Sequence, residues 1–325
     1  MTLRVAQATS RQNPRLAPRL ERLADLVYAG GGSLAEDLDG HVRSASALRR
    51  FGDRLLIVQD DVRALALLDR DGEVEAVLLR PGANGRRTFD ATRGNKRLKL
   101  DLEACLSLPD GRAVIFGSGS ARARERVVIV GPDRAPQIKP AADFYRALRS
   151  VREFVGPALN LEGAVCHSDR VRLFQRGNGG GNGSSSVNAV GDLSLDGFLA
   201  WLDADGPVPH LQSVLQVDLG RIEGVPYGIT DGAVMNDGRI AFVSCAEASA
   251  DVLSDGPVLG VRFGIIDRDR TVEVADVTGP DGRASLLKLE GIEARLTDSR
   301  RFDVVADLDR PDLPALIGEL VVGET

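Results

Sequence analysis

The sequence predicts an all-β fold: a five-bladed β-propeller with short helical insertions, six blades being the alternative count. Three observations carry this reading. A strand, an Asp-containing turn and a second strand recur five times, with aligned positions 57, 59, 69 and 59 residues apart. The second half of a repeat adds another such pair, as in Ala64-LALLDRDGEVEAVLL, Arg126-VVIVGPDRAPQIK and Val261-RFGIIDRDRTVEVAD. Only three segments show helical spacing. Four antiparallel strands repeated in series describe a propeller, at a period longer than that of a WD repeat.

The first copy runs from Ser44 to Asp53 and continues as RLLIVQDD. The second, Asp101-Leu-Glu-Ala-Cys-Leu-Ser-Leu-Pro-Asp110, is followed after the turn by AVIFG. The third runs from Asn160 to Arg170, the fourth from Ile229 to Arg239 and the fifth from Lys288 to Asp298. The blades are expected at 42–81, 98–140, 159–220, 228–278 and 286–322, in one domain covering 1–325. The last blade shows three strands of its own, so a strand at 2–7 is expected to supply the fourth and close the ring. Closure matters because an open array leaves two sheet edges unpaired. Leu16, Leu20, Leu23 and Val27 share a helical face, as do Phe144, Leu148, Val151 and Val155, and Leu195, Phe198, Leu199 and Leu202 beside Trp201. These are expected to be short helices over blade edges or a channel mouth.

Composition excludes several classes. The 325 residues carry 41 basic and 47 acidic side chains, a net charge of -6, which disfavours a nucleic-acid binder. Only four of the basic residues are lysines: Lys96, Lys99, Lys139 and Lys288. Cys105, Cys166 and Cys245 have neither disulfide nor zinc spacing. No apolar run reaches the ~18 residues of a membrane span, and Met1–Gln12 lacks a signal-peptide core. A cytoplasmic protein without a membrane or nucleic-acid partner is expected; the oligomeric state is not written in the sequence.

Aligning the repeats on their turns places Ser46, Glu103, Glu162, Asp231 and Glu290 in one register, at the start of the inner strand of each blade. These positions should converge at one mouth of the central channel. The loops after the second strands surround it with Asp60, Ser118, Gln175, Arg176, Asn178, Glu247 and Asp307. Converging carboxylates need a cation, protonation or arginine partners. All-oxygen donors suit Ca²⁺, with Mg²⁺ or Mn²⁺ next. Glu103, Glu162, Asp231 and Glu290 are the expected ligands. Glu103 or Glu162 would act as general base, and Arg176 would hold an anionic group of a small-molecule substrate. Neither His41, His167 nor His210 repeats with the blades. The glycine-rich stretch 177–186 lacks the lysine of a phosphate loop.

Several pieces resemble a family of uncharacterised bacterial propellers carrying a domain-of-unknown-function label. They are the Ser-Ala-Ser-Ala start at 44–47, Lys99-Leu-Asp-Leu-Glu-Ala, Phe116-Gly-Ser-Gly-Ser, Leu173-Phe-Gln-Arg-Gly-Asn, Ile222-Glu-Gly-Val-Pro-Tyr-Gly-Ile-Thr-Asp-Gly-Ala and Leu289-Glu-Gly-Ile. The resemblance covers most of 42–310. The Leu-Glu-Gly strand starts also look like those of phytase-like esterase and SdiA-regulated propellers, and this likeness implies calcium on channel acids. It transfers no activity, because propellers host many chemistries. The expected function is a metal-dependent hydrolase of an ester, lactone or phosphoester. The alternatives are a non-enzymatic binding or scaffold propeller, and a non-hydrolytic lyase or isomerase using the same carboxylates.

Overall fold

The computed structural model describes residues 2–83, 85–132, 134–177, 188–204, 206–248 and 256–323. Its strands form five blades. Blade I is Ala45–Phe51, Arg54–Gln59, Ala64–Leu68 and Val74–Leu78. Blade II is Leu102–Ser107, Ala113–Gly117, Arg126–Gly131 and Arg134–Pro140. Blade III is Leu161–His167, Arg170–Gln175, Asn188–Ser194 and Ser213–Asp218. Blade IV is Gly228–Val234, Ile240–Glu247, Val258–Ile266 and Val272–Asp276. Blade V is Lys288–Ala294, Arg301–Asp307, Leu316–Val321 and Arg19–Asp25. Each inner strand packs against the next, and that of blade V packs against that of blade I, so the ring is closed.

The closing strand is not the expected one. Arg19–Asp25 pairs antiparallel with Leu316–Val321 and completes blade V. The segment expected to do this lies elsewhere: Arg4–Thr9 runs parallel to Ser213–Asp218 as a fifth, outer strand of blade III. Arg11–Gln12 adds to the edge of blade IV in the same way. The chain start therefore crosses the rims of blades III and IV before it closes the ring in blade V.

The helix expected at Leu16–Val27 is absent for a related reason. Leu16 sits in a short 3-10 turn, and Leu20 pairs with Leu320. Arg22 then takes a left-handed φ of 53°, and the register slips between Ile317 and Glu319. That bulge turns Leu23 inward, one residue out of strand alternation. A strand with a bulge has imitated the three-to-four spacing of a helix.

The other two helical expectations hold in outline. The first is split into Ala142–Arg149 and Arg152–Val155, with Val151 extended between them; the second is Leu195–Ala204. Phe144 stacks on Trp201 at 4.9 Å between ring centroids, and Phe116 of blade II lies 6.0 Å from Phe144. The helices thus extend the core between blades II and III outward. Among the described residues no helix is long and apolar enough to cross a membrane.

A bulge recurs at the start of each inner strand, at Ser46, Glu103, Glu162, Thr230 and Glu290. The next position in register is occupied by Ala47, Ala104, Gly163, Asp231 and Gly291. Four of these five are small, and the remaining one is charged. Asp231 meets Arg49, two residues beyond Ala47, with oxygens 2.7 and 2.8 Å from the guanidinium. Arg49 also donates to Ala164 O of blade III (2.8 Å), Gly232 O of blade IV (2.7 Å) and Ile292 O of blade V (2.9 Å). Ile292 N returns a bond to Asp231 at 3.0 Å. Both side chains are buried, and together they fill the axis.

Removing one partner of such a pair strands a buried charge, at a cost of about 3–5 kcal/mol. Arg49→Met should therefore lose stability of that order in urea unfolding. A Cβ at Gly163 would lie 2.8 Å from Asp231 Oδ1, so Gly163→Ala should cost about 1–3 kcal/mol in the same assay.

Candidate metal and ligand site at the channel mouth

The five bulges set which side chains reach the mouth. In blades I and IV the bulged residue is a hydroxyl that stitches blade to blade. Ser46 Oγ donates to Leu102 O at 2.6 Å, and Thr230 Oγ1 donates to Leu289 O at 2.5 Å. In blades II, III and V the same position is Glu103, Glu162 and Glu290. Blade IV therefore contributes Thr230 to this ring, and not Asp231. Asp231 points at the axis, where Arg49 and the Ile292 amide take its oxygens, so its expected role as a metal ligand is not supported by its position.

Around Glu103 the acids gather. Ligand oxygens of Asp60, Asp101 and Glu103 all lie within 4.8 Å of one another. Lys99 Nζ bridges Asp60 and Asp101, 2.6 Å from Asp101 Oδ1. Arg124 reaches Asp101 Oδ2 at 2.8 Å, and Ser118 Oγ donates to the same oxygen. Among the described residues Glu103 makes no hydrogen bond or ion pair, and Asp60 Oδ1 is buried without a partner.

The other side of the mouth is more fully paired. Arg176 lies 2.9 Å from Glu247 and 3.6 Å from Glu162, and Asn160 donates to Glu162. The expected substrate-binding arginine is thus engaged in holding two acids, and is only 12% exposed. Lys288 lies 3.1 Å from Glu290 and 3.2 Å from Asp309, although Glu290 Oε2 remains unpartnered. Gln175 is structural: it accepts from Asn160 N at 2.8 Å and donates to Ala158 O and Arg176 O. Asp307 accepts from Asp309 N at 3.0 Å. Asn178, also expected here, lies outside the described residues.

Among the described residues eight carboxylates (Asp60, Asp101, Glu103, Glu162, Glu247, Glu290, Asp307 and Asp309) thus meet four cations (Lys99, Arg124, Arg176 and Lys288). The excess shows in the acidities. Burial, then the charges of Asp60, Asp101 and Glu162, pushes Glu103 well above the usual carboxylate range. Burial carries Glu162 to about 8, with Arg176 opposing it. Burial also raises Glu290 against the pull of Lys288 and Arg176, and raises Asp307 well above its ordinary value against Lys288. Asp101 goes the other way, because Lys99 and Arg124 outweigh its burial. Lys99 and Lys288 are held firmly protonated: burial disfavours the charge, but the surrounding acids more than restore it.

Sequence reasoning missed Lys99, Asp101, Lys288, Arg124 and Asp309. Two of them carry a signal: Asp101 and Lys288 stand two residues before the bulges at Glu103 and Glu290. Thr230 was also legible, since it lies seven residues before the turn Asp237, the spacing of Ser46 to Asp53, Glu103 to Asp110 and Glu162 to Asp169. Choosing the acid over the hydroxyl misplaced it by one.

Comparisons with known proteins bear on the family. A family profile described as a family of unknown function, DUF6929, matches residues 41–322, and the chain belongs to that family. No curated protein matches the chain. Among solved structures it is similar to Myxococcus xanthus glutaminyl cyclase, at 12% identity, covering 98% of this chain and 99% of that one, with a TM-score of 0.48. It is similar to MPT-4, a mannose phosphorylase from Leishmania mexicana, at 12% identity, 93% and 89% coverage and a TM-score of 0.45. It is also similar to Staphylococcus aureus virginiamycin B lyase, at 10% identity, 92% and 99% coverage and a TM-score of 0.41. At these values none transfers an activity.

The raised carboxyls make a pH prediction. Glu162 holds a proton in the folded chain up to about pH 8 but loses it near 4.5 when unfolded. The folded state binds more protons across that window, so stability falls as pH rises through it. In metal-free buffer the melting temperature should drop from pH 6 to pH 9, and Glu162→Gln should flatten the slope.

Proposed function

We propose that the mouth binds a divalent cation, Ca²⁺ first with Mg²⁺ or Mn²⁺ next, on Asp60, Asp101 and Glu103, and that this site hydrolyses an ester, lactone or phosphoester. The supporting observation is Glu103: among the described residues it is a carboxylate without a hydrogen bond or ion pair, beside the orphaned Asp60 Oδ1, in a mouth where these residues supply four more acids than bases. The donors are all hard oxygens, the set a Ca²⁺-type ion prefers. Asp60 and Asp101 would share themselves between the ion and the Lys99 ammonium. When bound, such an ion polarises a substrate oxygen or acidifies a water.

The chain's own residues supply the rest. Glu162, with its acidity near neutrality, is suited to hold and pass a proton at its carboxyl oxygen. Arg176 and Asn160 fix its orientation. Arg124 and Ser118 hold Asp101. Glu290, bound to Lys288, faces the same mouth and takes no ligand role in this reading.

A second reading has its own support. Lys99 and Lys288 already bridge acids as inorganic cations would, which favours a binding or scaffold propeller whose acids serve the ring. Thermal melts separate the two. On the first reading CaCl₂ raises the melting temperature and EDTA reverses the rise. Glu103→Gln abolishes the calcium shift, while the metal-free variant melts above metal-free wild type because a repelled carboxylate is gone. No shift with Ca²⁺, Mg²⁺ or Mn²⁺ overturns the cation site. A calcium shift with no turnover across aryl esters, lactones and aryl phosphates overturns the hydrolase and keeps the site.

A further inference from the structure

The face opposite the mouth carries a second cavity, of about 680 Å³, between blades III and IV. That size lies within the ~300–1,000 Å³ range of small-molecule sites. Its floor is apolar, built from Val190 and Leu215 of blade III and Ile240 and Ile266 of blade IV. Its rim is made by the hairpin turns at 167–170, 236–238 and 267–270.

The rim is richer in available positive charge than its composition suggests, because the acids are already engaged. Asp192 is taken by Arg172 at 2.7 Å and by Ser213 Oγ at 2.8 Å, and Arg170 reaches it only at 3.4 Å. Asp237 is held by Arg239 at 2.8 Å. Asp267 accepts from the Arg268 amide at 2.6 Å, and Asp169, 84% exposed, lies 3.4 Å from Arg170. Arg268 and Arg270 have no carboxylate partner among the described residues; Arg268 rests on a carbonyl, Asp237 O. Gly238 leaves room at this point, since a Cβ there would meet His167 Nε2 at 3.3 Å and Arg268 at 3.4 Å.

We propose that this cavity binds a small organic anion, a phosphate or carboxylate on an apolar body, with Arg268 and Arg270 holding the anionic group and the four aliphatic side chains holding the body. Guanidinium forks suit both oxyanions. The site is separate from the mouth: the two share no lining residue, and they lie at opposite ends of the inner strands of blades III and IV.

Histidine-ring NMR tests this directly, since the chain has three histidines and only His167 lines the cavity. Phenyl phosphate should move the His167 signals saturably and leave His41 and His210 still. The Arg268→Ala/Arg270→Ala variant should weaken binding at least tenfold; both residues are exposed, and unchanged His41 and His210 signals confirm its fold. Inorganic phosphate should bind several-fold more weakly than phenyl phosphate, and Glu103→Gln should change nothing. No saturable movement at His167, or equal affinity in wild type and double variant, overturns the proposal. Equal affinity for the two phosphates overturns the apolar half of it.

Discussion

The structure depends on one buried ion pair. Protein interiors are close-packed, so the space where five inner strands meet has to be filled. Here Ala47, Ala104, Gly163 and Gly291 keep the gap small, and Arg49 with Asp231 fills it. The guanidinium bonds backbone carbonyls of three other blades besides the carboxylate. A lysine has neither the planar fork nor the donor count to do the same. The ring is thus tied at its centre by a charged group whose every direction is answered, as well as at its rim by the strand at Arg19–Asp25.

That hub also sets the electrostatics above it. Asp231 is neutralised below the mouth and does not add to the acid excess there. What remains, among the described residues, is a ring of buried and half-buried groups in which cations are fewer than acids. The choice of cation is informative. Only four of the 41 basic residues are lysines, and two of these, Lys99 and Lys288, lie here. A compact ammonium is a point charge that fits between two carboxylates much as a metal ion does, whereas a guanidinium spreads its charge over a planar fork.

The architecture was legible because each blade repeats the same strand and turn chemistry, and repetition survives local irregularity. The closing strand was not, because the bulge at Arg22 gave its leucines a helical spacing. At the mouth, Glu103, Glu162 and Glu290 were legible from register alone. Asp231 was misread because a bulge separates neighbouring positions by a change of direction that composition does not show. Arg49 has no counterpart in the other repeats, so no alignment of them pointed to it. The second cavity escaped for another reason: its walls come from turns of two blades, and its chemistry rests on which acids are already engaged.

The filled axis has a consequence for traffic. Many rings offer a bore that solutes could cross from face to face; here the buried Arg49–Asp231 pair stands in that path. On the proposed reading, an ion held by Asp60, Asp101 and Glu103 would enter and leave by the same face. Arrival and departure therefore compete for the same opening. The two faces of the disc are reached from opposite sides, with the buried Arg49–Asp231 pair between them.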